Sequence, residues 1–228
     1  MRDERTILLI GEAAFTALHN SFVAVAGLGG VGGHCAEALA RAGVGRLHLV
    51  DFDRVNESNL NRQLVAERAT LGMEKTEAMK RRLYAVSDCA VSVSALRIDE
   101  TTVAEALPAD ADFIVDAIDS LSGKLAIVAF ARAHGVPSVS CMGAGNRLDA
   151  SRFSVRDVYE TAGDPLARRM RAALRKMGVP ALPVVCSDEP PHTKPGQTVI
   201  GSLAPVTAAA GLVAASYVLN QLMQGKES

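Results

Sequence analysis

The chain has 228 residues, a nearly balanced charge (24 Lys and Arg against 25 Asp and Glu, net −1 at pH 7) and 49% hydrophobic residues. This length can bury a sizeable core as one domain, and the balance excludes an overall electrostatic signature for nucleic acid, so any such contact must come from a local patch. The four cysteines lie far apart with no Cys-x-x-Cys pair, which argues against a Cys-rich structural zinc site and suits reduced thiols in a cytoplasmic protein.

The opening stretch MRDERTILLIGEAAF lacks a secretory signal pattern, and residues 3–18 are expected to be helical. Arg5 stands just ahead of the apolar run 7–10, where an arginine is ordinarily a solvated charge. Phe22 to Ala26 is a short apolar run of the kind a buried parallel strand needs. Gly27, Gly29 and Gly32 then satisfy Gly-x-Gly-x-x-Gly. In that pattern the first glycine makes a tight turn, the second lets a phosphate approach the backbone and the third lets helix and strand pack closely. The helix that follows points its free amides at the phosphate. A second strand leads to Asp51 and Asp53, with Asp51 at the spacing of a ribose-binding acid. By itself the motif indicates a nucleotide without saying which one.

An Asn-rich polar loop follows Asp53. Residues 75–86 have helical spacing, 90–98 alternate as a strand, 101–107 suit a short helix and 113–118 a buried strand with Asp116 and Asp119 at its end. A helix over 121–134 is closed by Gly135-Val136-Pro137, and 138–142 is the next strand. Strand and helix thus alternate, which predicts an α/β, Rossmann-like, doubly wound and mostly parallel sheet with ligands outside the carboxyl ends of the strands. Beyond Gly145 the pattern loosens into added elements: a short strand at 153–155, a helix over 164–177 with proline just inside its start, a strand at 182–186 and a loop with three prolines. The closing apolar helix is long enough to span a membrane. Its Pro205, Gly211 and many alanines predict a close-packed core or interface helix instead.

Several motifs together resemble the ThiF/MoeB superfamily, the bacterial relatives of ubiquitin-activating enzymes. They are Gly-x-Gly-Gly-x-Gly (with Gly30 as the added glycine), DFDRVNESNLNRQ, Lys75 and DAIDS. GAGNRLDASRFSVRDVYETAGDPLARRMRAALRKMGV and VVCSDEPP look most like the branch that dehydrates threonylcarbamoyladenosine in tRNA. The resemblance covers essentially the whole chain. It implies one adenylation domain with a nucleotide-binding half at about 20–145 and a substrate and dimer half at about 146–228. It also implies ATP with Mg2+, a homodimer, and tRNA as substrate. A carboxylate would attack the α-phosphate of ATP, and the acyl adenylate would then be captured internally with net loss of water.

Adenylation needs cations around the triphosphate and a carboxylate for the metal. It needs no general base, because the attacking carboxylate is already ionised. The resemblance assigns the ribose to Asp51, with Asp53 beside it, the phosphates to Asn59 and Arg62 of a polar nucleotide-binding loop that also includes Gln63, and the metal to Asp119. Lys75 opens a helix, where a lysine is unfavourable for the dipole, so it is expected to serve a ligand. Asp116 either assists or lines the strand end. Arg5 matches an N-terminal arginine that reaches the triphosphate of the neighbouring subunit. The catalytic set is thus Arg5, Arg62, Lys75 and Asp119. Cys186 is expected to be a buried core residue rather than a thioester nucleophile. Arg168, Arg169, Arg171, Arg175 and Lys176 form either a phosphate-positioning helix or a solvated face. His192 and Lys194 sit in a loop that either closes over the substrate or is ordinary surface. The alternatives are adenylation of the Gly-Gly terminus of a ubiquitin-like sulfur-carrier protein, an NAD-dependent oxidoreductase, and a non-catalytic nucleotide-binding protein.

Overall fold

Short apolar runs bounded by turns become strands here, and amphipathic stretches between them return the chain over one face or the other. The computed structural model describes residues 3–193, 196 and 198–224; Lys194 lies outside them. The strands are β1 (Phe22–Ala26), β2 (Arg46–Val50), β3 (Ala90–Ser94), β4 (Phe113–Asp116), β5 (Ser138–Cys141), β6 (Phe153–Asp157) and β7 (Pro183–Ser187). They form one seven-stranded sheet in the order β3-β2-β1-β4-β5-β7-β6. Every pairing is parallel except that of the edge strand β6, which runs antiparallel to β7. Strand order reverses at β1 and β4, which opens a crevice at their carboxyl ends.

The helices are α1 (Glu4–His19), α2 (Gly32–Ala42), α3 (Lys75–Tyr84), α4 (Val103–Ala106), α5 (Leu121–His134), α6 (Pro165–Lys176) and α7 (Ala204–Gln224). On one face Leu39 of α2, Met79 of α3 and Val206 and Val218 of α7 pack with Val25, Leu47 and Val115 of the sheet. On the other, Ile127 and Phe130 of α5 cover Ala24 and Ile114. Met170 and Leu174 of α6 form a third cluster with Val184 and Val158.

Three expectations are corrected at their ends. The strand expected over 90–98 stops at Ser94, because Leu96, Arg97 and Ile98 leave the sheet to line the crevice. The strand expected over 113–118 stops at Asp116, where the chain turns into the 117–120 loop. The N-terminal helix is interrupted at Gly11, whose φ of 81° is not helical, and the segment ahead of it leaves Leu8 and Leu9 79% and 85% exposed.

α7 is the one helix of the described residues long and apolar enough to cross a membrane. In this structure its small-residue face, including Ala210, Gly211, Ala214 and Ala215, is buried. Gly211 explains how closely it seats on α2: a Cβ there would overlap the Val31 carbonyl oxygen and stand 3.0 Å from His34 Cβ. Gly211→Ala is therefore expected to push α7 off the start of α2 and cost about 1–3 kcal/mol, read as a lower urea midpoint with an unchanged slope.

Candidate functional site

β1 hands the chain to the glycine turn at Gly27, whose φ of 88° is a region glycine enters without steric cost. A Cβ there would also sit 2.8 Å from the Ala117 backbone. Gly32 works from behind the turn: its Cβ would overlap the Gly27 carbonyl oxygen, so any larger residue would part α2 from β1. Gly32 lies behind the crevice lining, in the helix–strand packing role the pattern gives its third glycine. Gly29 differs: among the described residues beyond its chain neighbours, a Cβ there would meet within 4 Å only Gln63 Nε2, at 3.9 Å. Its backbone is open to an approaching ligand at the start of a helix.

Asp51 ties this turn to the neighbouring strand. Its Oδ2 accepts the Leu28 N–H at 2.7 Å and its Oδ1 accepts the Asp53 N–H at 2.9 Å. Burial pushes its carboxyl up from the ordinary value, against the opposing pull of the Lys75 charge and these two hydrogen bonds. Asp51 is thus a scaffold for the turn as well as a wall of the crevice, a double duty that spacing alone does not disclose.

The crevice has a volume of about 710 Å³ and brings together Asp51, Asp53, Asn59, Arg62, Gln63, Lys75 and Asp119. Lys75, the first residue of α3, is buried, and its Nζ reaches Asp53 Oδ2 at 2.8 Å. The Asp53 side chain is half-exposed, so the pair presents a cation that a more highly charged anion can draw on. Arg62 is held by the Ser58 carbonyl at 3.0 Å and Asn61 Oδ1 at 2.8 Å. Asn59 is buried and its Oδ1 accepts the Asn56 N–H at 3.2 Å. Gln63 is buried, and its Oε1 has no hydrogen-bond partner among the described residues. Asp119 is exposed on the crevice wall and forms no hydrogen bond or ion pair among the described residues. Arg5 is exposed on α1 and does not line the crevice of its own chain.

Three groups on the crevice escaped the sequence reading. Phe52, between the two aspartates, is 53% exposed, and the Arg97 guanidinium lies 5.3 Å from its ring centroid. Leu96 and Ile98 continue this wall, so the β2–β3 end of the crevice is a partly apolar slot bearing a cation. At the opposite end Arg147 and Asp164, both almost fully buried, pair at 2.9 Å. Asp164 also accepts the Gly143 N–H at 3.1 Å and caps α6 through Ala167 N–H at 2.8 Å, joining the loop after β5 to that helix. Asp-Pro at a helix start signals the cap, but nothing local signals the pairing with Arg147.

Asp116 is not on the crevice wall. It is buried one layer beneath, where both its carboxylate oxygens lie 3.1 Å from Lys124 Nζ and Oδ2 accepts the Ser140 hydroxyl at 2.5 Å. Lys124 is fully buried and also donates to the Cys141 carbonyl at 2.7 Å. The open question over Asp116 thus resolves against assistance in the crevice.

The described part of the proline-rich loop is tied down. Asn146, at a φ of 56°, exchanges hydrogen bonds with Gly201 and accepts the His192 N–H. His192 Nε2 meets Glu189 at 2.8 Å, and Glu189 accepts the Leu148 and Asp149 N–H groups. His192 does not line the crevice, although Pro191 and Thr193 do. The four cysteines are free and buried. Burial pushes the Cys186 thiol up and the Cys141 thiol to about 12, the latter despite the nearby Lys124 charge.

The ThiF family model matches residues 3–228. The chain is 40% identical over 189 residues to tRNA threonylcarbamoyladenosine dehydratase of Bacillus subtilis, covering 82% of this chain and 74% of that protein. It is 32% identical over 246 residues to the protein of that name from Escherichia coli, covering 96% and 92%. The crystal structure of E. coli tRNA N6-threonylcarbamoyladenosine dehydratase in complex with ATP superposes with a TM-score of 0.92 at 33% identity, covering 98% of this chain and 94% of that one.

Two outcomes follow from the buried groups. Lys124→Met strands the Asp116 carboxylate and is expected to cost about 3–5 kcal/mol, whereas Lys124→Met with Asp116→Leu should recover most of the loss; urea unfolding of both variants reads this. A disulfide-exchange reagent at pH 8 should label essentially no thiol in the folded protein and all four after unfolding.

Proposed function

The chain belongs to the ThiF family, and from that premise we propose that it is an ATP-dependent tRNA threonylcarbamoyladenosine dehydratase. A carboxylate oxygen of the threonylcarbamoyl group on tRNA adenosine 37 attacks the α-phosphate of ATP, the bond to the bridging oxygen breaks and pyrophosphate leaves. An internal nucleophile of the same modified nucleoside then attacks the activated carbonyl, the bond to AMP breaks, and the nucleophile's proton is released. The cyclic product has lost the elements of water. The observation that carries this reading is one crevice holding the open backbone at Gly29, the cations Arg62 and Lys75, and the uncommitted carboxylate of Asp119.

In this reading the slot of Phe52, Leu96, Arg97 and Ile98 takes the adenine, and Asp51 takes the ribose hydroxyls, its remaining lone pairs accepting them. The triphosphate lies along Gly29 and Gly30 with Asn59, Arg62, Gln63 and Lys75 around it. As the pentavalent phosphorus forms, the phosphates gain negative charge near Arg62 and Lys75. Such preorganised cations stabilise charge as it develops. Lys75 already leans on Asp53, so the incoming phosphate replaces a half-exposed partner rather than water.

Asp119 fits a magnesium ion: it is a hard oxygen donor on the crevice wall with no ion-pair partner among the described residues. No cluster of three or more metal-ligating side chains exists among the described residues, which suits a metal held by one carboxylate plus phosphate oxygens and water. Magnesium there would offset charge on the triphosphate and orient pyrophosphate as leaving group. Arg5 is proposed to act across a homodimer. Its exposure beside the uncovered Leu8 and Leu9 supports a subunit contact at α1. A cytoplasmic location goes with a tRNA substrate.

ATP–pyrophosphate exchange tests the reading. Exchange dependent on threonylcarbamoylated tRNA is expected; exchange with a Gly-Gly carrier protein alone would move the chain to sulfur-carrier activation. Lys75→Ala and Asp119→Ala should each lower exchange by about 10²–10³-fold, the exposed Asp119→Ala variant while melting near the parent temperature and the Lys75→Ala variant at a lower one, since it removes a buried ion pair. Mixing Arg5→Ala with Asp119→Ala subunits should restore part of the activity, because one of the two sites in the heterodimer then has both groups intact. Absence of any recovery would place Arg5 outside the neighbouring site.

A further inference from the structure

We propose that α6 is the docking track for the tRNA backbone, and that the RNA therefore enters the crevice from the β5 end, opposite the adenine slot. This rests on the tRNA reading given above. The helix PLARRMRAALRK contains no acidic residue. Ala167, Met170 and Leu174 bury its inner face, while Arg168, Arg169, Arg175 and Lys176 are exposed. Positions 168 and 175, and likewise 169 and 176, are seven apart and so lie on one side of the helix, about 10.5 Å apart along its axis. Two pairs of cations at that separation span several phosphates of a nucleic-acid strand.

A solvated face of an ordinary helix usually mixes the signs of its charges, and here the neighbourhood does not supply the missing anions. Among the described residues no carboxylate pairs with Arg168, Arg169, Arg175 or Lys176. Glu160, exposed beside Tyr159, forms no ion pair with these four cations among the described residues, and other acids are engaged elsewhere. Asp164 is buried with Arg147, and Asp188 is bound to Arg152 and Arg156. Two further contacts make the track rigid: Arg171 donates to the Thr161 carbonyl and hydroxyl, and the Arg175 guanidinium lies 5.3 Å from the Tyr159 ring centroid.

The track also leads somewhere. Arg169 lines the crevice, as do Pro165 and Leu166 at the same end of the helix. A phosphate backbone held on Arg168, Arg175 and Lys176 would deliver a loop nucleotide past Arg169, toward Asp119 and the triphosphate. Phosphate contacts of this kind position an RNA without reading its sequence, so the track sets where the modified nucleoside enters, not which nucleoside is chosen. In a chain with net charge −1, such a local concentration is what lets the protein hold a polyanion at all.

The test is direct binding of threonylcarbamoylated tRNA across a salt series, with parent protein, the triple variant Arg168→Gln, Arg175→Gln, Lys176→Gln, and a charge-matched control, Arg68→Gln, Arg81→Gln, Arg132→Gln. Glutamine keeps the helix former and the aliphatic stem, and ATP affinity and melting temperature check that the crevice and fold persist. The α6 variant should lose at least about tenfold in tRNA affinity, and its slope of log K against log salt should fall in magnitude by about 2–3. ATP affinity should not change, and the control should bind as the parent does. Unchanged tRNA affinity and slope in the α6 variant, or an equal loss in the control, overturns the track while leaving the tRNA reading intact. Failure of the parent protein to bind tRNA overturns both.

Discussion

The crevice depends on the carboxylate of Asp51. It accepts one backbone N–H from the glycine turn after β1 and another from the chain leaving β2, so two adjacent crossovers are held to one point at the carboxyl edge of the sheet. The turn can pass there only because Gly27 takes a left-handed φ and Gly32 has no side chain to part α2 from β1. Burial makes the charged state of Asp51 harder to keep, as the upward shift of its carboxyl records. Lys75 compensates from across the crevice. The cation proposed for the triphosphate therefore also supports the anion that shapes the phosphate-binding turn.

Charges in this molecule fall into two layers with different duties. In the lower layer Lys124 with Asp116, and Arg147 with Asp164, are almost wholly removed from water and matched at close range. Pairs of this kind add little net stability compared with apolar replacements, yet the loss of one member is costly. Here they lock the loops after β4 and β5, which carry Asp119 and Arg147 to the crevice. In the upper layer Arg62, Asp119 and the half-exposed Asp53 remain within reach of a ligand. Asp116 and Asp119 stand three residues apart and belong to different layers.

The proposed reaction makes sense of a crevice that is asymmetric along the sheet edge. An aromatic ring, aliphatic side chains and one arginine stand at the β2–β3 end, phosphate-handling groups at the middle, and a basic helix at the β5 end. A nucleotide and a polyanionic substrate can then meet head to tail over the strand-order reversal, with the excess of positive charge placed where the phosphates converge.

Much of this was legible in the chain because burial imposes its own period. Phe22–Ala26 and Leu121–His134 occupy the residues expected of them: a doubly buried strand must be apolar throughout, and a helix capped by Ser120 and closed by left-handed Gly135 has both ends written locally. The glycine pattern and the Asp51 spacing likewise pointed to a nucleotide through backbone requirements that few residues meet, whereas the Asn59–Gln63 loop was read through its resemblance to the ThiF/MoeB superfamily. The tertiary structure decided what depends on direction. It sent Asp116 inward and Asp119 outward, buried Lys124 although a lysine on a helix ordinarily faces water, and moved Leu96–Ile98 from the sheet to the crevice. It also left the four exposed cations of α6 without an ion-pair partner among the described residues. Sequence determined which segments fold and where a phosphate can approach, since those are local steric and periodic constraints. Which charges meet, and which remain free for a ligand, was settled only when strands distant in the chain came side by side.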